Sequence, residues 1–295
     1  MKSFSPNQED IEKLFSGEVD RELDGFAFLA QEGVVDRVVG FLKECPDWKK
    51  NNFLNLYGTC TQALSCEKAL AILECFSPFD PLWGRRNTSL IFQYLTFLIE
   101  ENKACDLDAV LEHPVLKKTA SLIVDENILL FKKHALTRDA LGSWKFLSHR
   151  EEGAKRMVCV WSEALSLKSY TILEHLMQGP DLAPSERVAL VVAFCGEGAN
   201  NKDMRKFLTF LCLGVSPQDI VLRTQGRTFH LECMYELVDN KTKEELITLL
   251  TKHPSVWQTL MSRESELGKE CLRRDLQMHV CLKKPNRKQH LGKKM

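Results

Sequence analysis

Apolar residues recur along most of the chain at the spacing of an amphipathic α-helix, three or four residues apart. One such stripe consists of Val35, Val38, Val39 and Leu42. Side chains at this spacing share one face of a helix, so each segment is expected to bury that face against a neighbour. Sustained alternation of apolar and polar residues, which is typical of a half-buried strand, is scarce. The pattern predicts an all-α protein.

The predicted helices come in seven pairs, and a short turn separates the two members of each pair. The pairs are 26–31 with 35–43, 56–63 with 67–76, 90–100 with 107–112, 121–134 with 138–149, 156–165 with 169–177, 186–195 with 203–213, and 229–238 with 243–252. The sixth pair contains an insertion over 196–201, whose glycines indicate a mobile turn. Two helices joined by a short turn pack side by side, so each pair is a helical hairpin.

A proline follows the second helix of six of the seven pairs. These residues are Pro46, Pro78, Pro114, Pro180, Pro217 and Pro254. With one step missing near Arg150, their spacing averages about 35 residues. Proline stops helix continuation, so each is expected to end a helix. A hairpin that recurs every 30–40 residues favours a solenoid of about seven paired-helix repeats over an irregular helical domain.

Segments at both ends differ from this array. Ser5-Pro6 followed by Gln8 predicts a helix over 5–15, and a stripe of four apolar residues predicts another within 262–282. The predicted organisation is a capping helix in 1–25, a repeat array over 26–260, a capping helix in 261–282 and a basic flexible tail over 283–295.

Several segments resemble ankyrin repeats. Gly214-Val215-Ser216-Pro217 resembles the family string G-A-D-P-N, and 226–233 resembles G-R-T-P-L-H-L-A-C with one position deleted and the proline absent. Segment 27–42 is similar to L-H-x-A-A-x-x-G-H-x-x-I-V-x-x-L-L, and 245–250 to the second helix. The middle pairs lack these strings, so they fit another paired-helix repeat equally well.

The resemblance implies a non-catalytic scaffold or adaptor that binds a partner protein through a concave face and the inter-repeat loops. In this family the histidine at the position of His230 is structural and hydrogen-bonds to neighbouring loop backbone, and Cys233 replaces a buried alanine. Intracellular bacteria deliver divergent ankyrin-like proteins into host cells, so an effector acting in a host cell is a further expectation. We expect a monomer.

Charge is balanced overall, with 40 basic and 40 acidic residues, but it is unevenly distributed. The tail contains Lys283, Lys284, Arg287, Lys288, Lys293 and Lys294. Such a tail is typical of a nuclear-import signal or of a contact with nucleic acid or anionic lipid. The alternative is a solvated terminus. Acidic residues prevail in the rest of the chain, which favours a basic partner surface.

The eleven cysteines include no C-x-x-C string, and most lie in apolar periodic segments. This pattern predicts free, buried thiols in a reducing compartment and no metal site. The longest apolar run, 188–195, is too short to span a bilayer, and no signal peptide is visible. We expect a cytoplasmic protein, with the nucleus or a host-cell cytosol as alternatives.

No cofactor, catalytic residue or small-molecule substrate is indicated by a sequence motif. A third hypothesis is an enzyme with an unrecognised pocket around His134, His149 and Cys159. Tryptophan and arginine dominate many interfaces, so the candidate partner-binding residues are those in or beside predicted loops. They are Trp48, Trp83, Arg85, Arg86, Arg223, Arg227 and Trp257. For each tryptophan the alternative is a core position, and the best single interface candidate is the loop 76–87.

Overall fold

The computed structural model describes residues 33–46, 50, 62, 64–76, 84–150, 157–179, 182–198 and 200–282. This part of the chain contains sixteen helices and no strand, so the prediction of an all-α protein is confirmed. None of the described helices is long and apolar enough to cross a membrane. The chain divides into two compact units, Met1–Gly153 and Ala154–Met295. The helices predicted over 5–15 and 26–31 lie outside the described residues, as does nearly all of 56–63.

Unit 1 contains seven described helices. They are α1 (Val34–Glu44), α2 (Cys66–Glu74), α3 (Gly84–Glu100), α4 (Ala104–Glu112), α5 (Lys117–Glu126), α6 (Ile128–Thr137) and α7 (Leu141–Arg150). Helices α2, α4 and α7 contact one another in series, and the long α3 packs on α4, α5, α6 and α7. Tyr94, Leu98 and Phe131 are almost fully buried, so the core of this unit lies along α3 and α6.

Unit 2 contains nine described helices. They are α8 (Met157–Leu167), α9 (Tyr170–Leu176), α10 (Pro184–Gly198), α11 (Lys202–Leu211), α12 (Pro217–Thr224), α13 (Thr228–Leu237), α14 (Asn240–Leu250), α15 (Pro254–Met261) and α16 (Glu266–Leu282). Contacts run along two rows. Row A consists of α9, α11, α13 and α16, and row B of α8, α10, α12 and α14. Consecutive helices alternate between the rows from α8 to α14.

Side-chain caps fix several helix starts in unit 2. The Asn201 carboxamide oxygen accepts from the backbone N–H groups of Asp203 and Met204 at the start of α11. Ser216 and Asp239 likewise cap α12 and α14. Each cap satisfies backbone N–H groups that have no partner inside the helix, so polar residues in the turns define where the helices begin.

Two prolines have a second role beside the one predicted. Pro217 and Pro254 do not only follow a helix; each is the first residue of a new one, α12 or α15. Proline fits this first position because its missing N–H would have no helical partner there, and its fixed φ is already helical. Neither α12 nor α15 was predicted, and both are only eight residues long.

Two helix boundaries also differ from the prediction. The helix expected over 121–134 is two helices, α5 and α6, separated at Asn127, whose side-chain amide donates to the Ile123 carbonyl oxygen at 2.9 Å. The turn expected from residue 196 begins later, because α10 continues through Gly198. A Cβ on Gly198 would collide with Leu208 of α11, so the glycine permits close helix packing.

Candidate partner-binding surface

Most of the predicted partner-binding residues cannot be placed. Trp48 and Trp83 lie outside the described residues, and so does most of the loop 76–87. Arg85 and Arg86 belong to α3, but their side chains are outside the described part. The tail residues Lys283, Lys284, Arg287, Lys288, Lys293 and Lys294 are outside it as well.

Trp257 is a core residue, which corrects its assignment to the partner-binding set. Only 6% of its surface is exposed, and Leu260, one turn further along α15, is fully buried. Residues three apart share one helix face, so this face of α15 points into the unit. A side chain buried in this way offers no surface to a partner.

Arg223 and Arg227 flank the turn between α12 and α13, and both are exposed. The turn is tight because Gln225 and Gly226 both have positive φ, 52° and 68°. Glycine adopts this conformation without strain, and it reverses the chain within three residues. Within the described part of the chain, neither guanidinium group forms an ion pair with a carboxylate. Two cationic side chains are therefore presented together.

Two large apolar side chains lie beside the same turn. Leu222, near the end of α12, is 73% exposed, and Phe229, the second residue of α13, is 51% exposed. The Phe229 ring meets the His230 ring edge-on, with 5.7 Å between centroids. The sequence analysis missed both residues because they continue the apolar periodicity of their segments. One feature of the sequence could have indicated Phe229. It lies near the position of the proline in the ankyrin string G-R-T-P-L-H-L-A-C, and this chain lacks that proline.

A third arginine reaches this turn from the segment between α15 and α16. An Nη2 of Arg263 lies 3.4 Å from Thr228 Oγ1, and its Nε lies 3.7 Å from Glu232 Oε1. Glu232 also accepts a 2.8 Å hydrogen bond from Ser265 Oγ. We call Leu222, Arg223, Arg227, Phe229 and Arg263 the arginine rim. It combines the two kinds of side chain, guanidinium and large apolar, that often dominate binding energy at interfaces.

A separate shallow cleft lies in unit 2, lined in part by Trp161, Arg187 and Phe210. The Trp161 and Phe210 rings stack at 6.4 Å, and the Arg187 guanidinium lies 5.7 Å from the Phe210 centroid. The space that it encloses is about 10 Å³, enough for about one water molecule. Ligand pockets usually enclose about 300–1,000 Å³, so this cleft is too small for a cofactor or a typical metabolite.

His134, one of the three residues of the enzyme hypothesis, is paired with a carboxylate of its own unit. His134 Nδ1 lies 2.7 Å from Glu100 Oε1, which ties α6 to α3 inside unit 1. His149 is exposed, and Cys159 belongs to unit 2. Within the described part, no serine, threonine or cysteine side chain hydrogen-bonds to His134. The His134–Glu100 pair therefore serves as a contact between helices.

The surroundings of His230 and Cys233 differ from those that the ankyrin resemblance implied. His230 Nδ1 is buried and has no hydrogen-bond partner among the described residues, so this nitrogen does not bind loop backbone as the resemblance implied. The Cys233 thiol hydrogen-bonds to Cys195 of α10, and burial raises the pKa of both thiols. Both stay protonated at neutral pH, which makes them poor nucleophiles. No group of three or more metal-ligating side chains occurs in the described part of the chain.

Comparisons of the chain with protein-family models, with curated proteins and with solved structures gave no match. The features that bear on function are therefore the arrangement of the helices and the arginine rim.

Proposed function

We propose that this chain is a non-catalytic scaffold of stacked, ankyrin-like helix pairs that binds a partner protein at its inter-repeat turns. The exposed arginine rim is the observation on which the proposal rests. Leu222 and Phe229 are costly to leave in water, and two neighbouring guanidinium groups lack a carboxylate partner among the described residues. A partner that covers the rim would bury Leu222 and Phe229 and would supply carboxylates to the two guanidinium groups.

Regular contacts in unit 2 support the stacked arrangement. Side chains of successive row A helices are joined by hydrogen bonds across a nearly constant sequence separation. The pairs, with their separations, are Tyr170–Asn201 (31), Glu174–Lys206 (32), Arg205–Glu236 (31) and Glu232–Ser265 (33). In a repeat array equivalent positions of adjacent repeats meet, so a constant separation near the repeat length is expected.

Unit 1 has contacts of similar separation. His134 meets Glu100 across 34 residues, and the Cys75 thiol meets the Val39 carbonyl oxygen across 36. Helix α12 fills the segment between the two ankyrin-like strings at 214–217 and 226–233. This departure leaves another paired-helix repeat as the alternative to ankyrin, and both kinds of array bind partners through exposed turns.

A photo-crosslinking experiment tests the proposal. A photoreactive amino acid replaces Leu222 in the full chain, and in a matched control it replaces Leu130, which is 44% exposed in unit 1. We expect one cellular protein to crosslink at position 222 and not at position 130, and to co-elute with the purified wild-type chain. Equal crosslinking at both positions, or none at position 222, would contradict binding at the rim.

The basic tail defines the second candidate function, targeting to the nucleus, nucleic acid or an anionic membrane. The observation that favours it is the excess of nine basic over two acidic residues in 269–295. If it is correct, deletion of 283–295 abolishes localisation or salt-sensitive binding, whereas crosslinking at position 222 is unaffected. If localisation and salt-sensitive binding survive the deletion, this candidate is excluded.

A further inference from the structure

We propose that the arginine rim binds an acidic protein segment that contains one or two apolar side chains. The inference rests on the proposed function and specifies the chemistry of the partner. Glu232 is the carboxylate that Arg263 reaches, with Nε 3.7 Å from Oε1, and it also accepts a hydrogen bond from Ser265, whereas no described carboxylate forms an ion pair with Arg223 or Arg227. Arg223 and Arg227 are thus left for carboxylates from another molecule.

The rim lies in a wider row of positive charge on unit 2. Helices α8–α14 alternate between the two rows and run in alternating directions, so every second turn along them lies at the same edge. These are the turns α8–α9, α10–α11, α12–α13 and α14–α15. Asn201 of the second turn hydrogen-bonds to Tyr170 after the first, and Gly226 of the third lies against Val256 after the fourth.

Each of these four turns presents an exposed basic residue. They are Lys168, Lys202, Arg223 with Arg227, and Lys252. A row of like charges raises the local concentration of an oppositely charged segment and accelerates its association. The row is positive although the chain outside 269–295 has an acidic excess. The partner proposed for this edge is therefore acidic, whereas the composition of the whole chain favoured a basic partner surface.

Two features favour a protein segment over nucleic acid or a membrane surface. Leu222 and Phe229 offer two single apolar side chains beside the charge, an area that one or two apolar side chains of a peptide match. The exposed acidic residues Glu197 and Asp203 lie beside the second turn and interrupt the row. A polyanion would be repelled there, whereas a peptide of mixed composition can place a neutral residue opposite them.

The test measures binding of fluorescein-labelled peptides to the full chain by anisotropy. The probe is a peptide of about 14 residues, mostly glutamate, with one leucine and one phenylalanine placed three residues apart. Two matched peptides replace every glutamate by glutamine, or both apolar residues by serine. A single-stranded oligonucleotide and phosphatidylserine vesicles are measured in parallel.

We expect the acidic apolar peptide to bind the wild-type chain, and its affinity to fall as salt rises, since surface charges are screened. The double variant R223E/R227E should weaken binding about tenfold or more, and F229A about fivefold. The control K133E/K241E makes the same change in net charge at exposed residues that are not part of the rim, and its affinity for the peptide should stay within twofold of that of the wild type. Circular dichroism checks that every variant remains helical.

Three results would overturn the inference: no peptide binding up to about 1 mM, equal loss of affinity in the rim and control variants, or equal binding of the glutamine peptide. Tighter, rim-dependent binding of the oligonucleotide or the vesicles would also overturn it, in favour of a polyanion. The proposed function has a separate readout. If a protein crosslinks at position 222 but the acidic peptide does not bind, the scaffold function is supported and only the acidic partner is rejected.

Discussion

The described cysteines differ in how their thiols meet solvent. Cys195, Cys212 and Cys271 are buried, and desolvation of the thiolate raises the pKa of Cys212 and of Cys271 to about 12. Cys105 and Cys159 are exposed on α4 and α8. All nine described cysteines are free thiols, but only some are the buried apolar residues that the sequence predicted. The difference depends on whether another helix covers the helix face that carries the cysteine, and not on the residue type.

This difference predicts selective alkylation. A pKa about three units above that of an ordinary thiol reduces the thiolate fraction at pH 7.5 about a thousandfold. In a short pulse of iodoacetamide we expect Cys105 and Cys159 to be modified, and Cys212 and Cys271 to remain unmodified until urea unfolds the chain. Peptide mass spectrometry measures the modification. Equal labelling of all four in the native protein would contradict the burial described above.

Gly268 permits the close contact between α15 and α16. A Cβ at this position would lie 2.6 Å from the Leu260 carbonyl oxygen and closer still to that of Arg263. Both atoms belong to the backbone, so the contact cannot be relieved by rotating a side chain. The sequence shows a glycine inside a predicted helix, where it is unfavourable, but it does not show which contact the missing side chain avoids.

We expect Gly268→Ala to lower the free energy of unfolding by about 2–3 kcal/mol, because the helices must move apart. Gly196→Ala is the matched control. Gly196 also lies in a helix of unit 2, but a Cβ there would meet nothing within 4 Å, so this variant should gain about 0.5–1 kcal/mol. Urea unfolding followed by circular dichroism measures both. A loss at Gly196 as large as at Gly268 would argue against a specific clash.

At the scale of the element, Glu270 connects the last helix to the rest of unit 2. Its carboxylate accepts hydrogen bonds from Arg273 Nε at 2.7 Å and Arg274 Nε at 2.8 Å. Arg274 also pairs with Glu244 of α14, so the cluster joins two helices. The hydrogen bonds from Arg273 and Arg274 lower the pKa of Glu270 to about 2. The i, i+3 and i, i+4 spacing of these charges was visible in the sequence, but the link to α14 was not.

This pKa shift predicts a pH-dependent stability difference. The folded pKa of Glu270 is below the unfolded value, so its contribution is fully present above about pH 4.5 and is lost as the pH falls towards 2. After allowance for solvent screening, Glu270→Gln should cost about 0.5–1 kcal/mol at pH 6 and less than half of that at pH 3. Glu245→Gln, at a more exposed site, is the control and should change stability by less than about 0.3 kcal/mol at both values.

Urea titrations of the three proteins at pH 6 and pH 3 give these differences. A cost of Glu270→Gln that stays constant or grows as the pH falls would show that the Arg273 and Arg274 contacts do not hold the carboxylate ionised.

At the scale of the whole molecule, the chain forms two compact units, and the boundary lies between Gly153 and Ala154. A division into two units is compatible with helix pairing, because each unit has its own helix pairs. The predicted continuous array over 26–260 did not contain this boundary. Local periodicity cannot reveal it, since the apolar spacing of a helix is the same on both sides of a boundary.

The division predicts that the fragment 154–295 folds alone. All strong contacts of α8–α16 are made among these nine helices, and the core residues Phe207, Leu208 and Leu211 are buried within them. We expect the isolated fragment to be helical by circular dichroism and to unfold cooperatively in urea. A fragment without a cooperative transition would show that unit 2 depends on the rest of the chain.

The sequence by itself determined the all-α class, the pairs α3–α4, α6–α7, α8–α9 and α10–α11, and the positions of Arg223 and Arg227 beside a turn. These features follow from signals within a few residues: the period of the apolar stripe, the turn glycine and the residue type. It did not separate Trp257, which is buried, from Leu222 and Phe229, which are exposed. All three are apolar residues at helical spacing, and whether such a face is covered depends on helices about 30 residues away in the sequence.

Tertiary structure also decided the role of the prolines and the composition of the arginine rim. Pro217 could have ended one helix or begun the next, and the packing of α12 between α10 and α14 selects the second. Arg263 reaches Thr228 from 35 residues away. The physical reason is the same in each case: hydrogen bonding and periodicity are local, whereas burial and charge clustering are set by which helices meet.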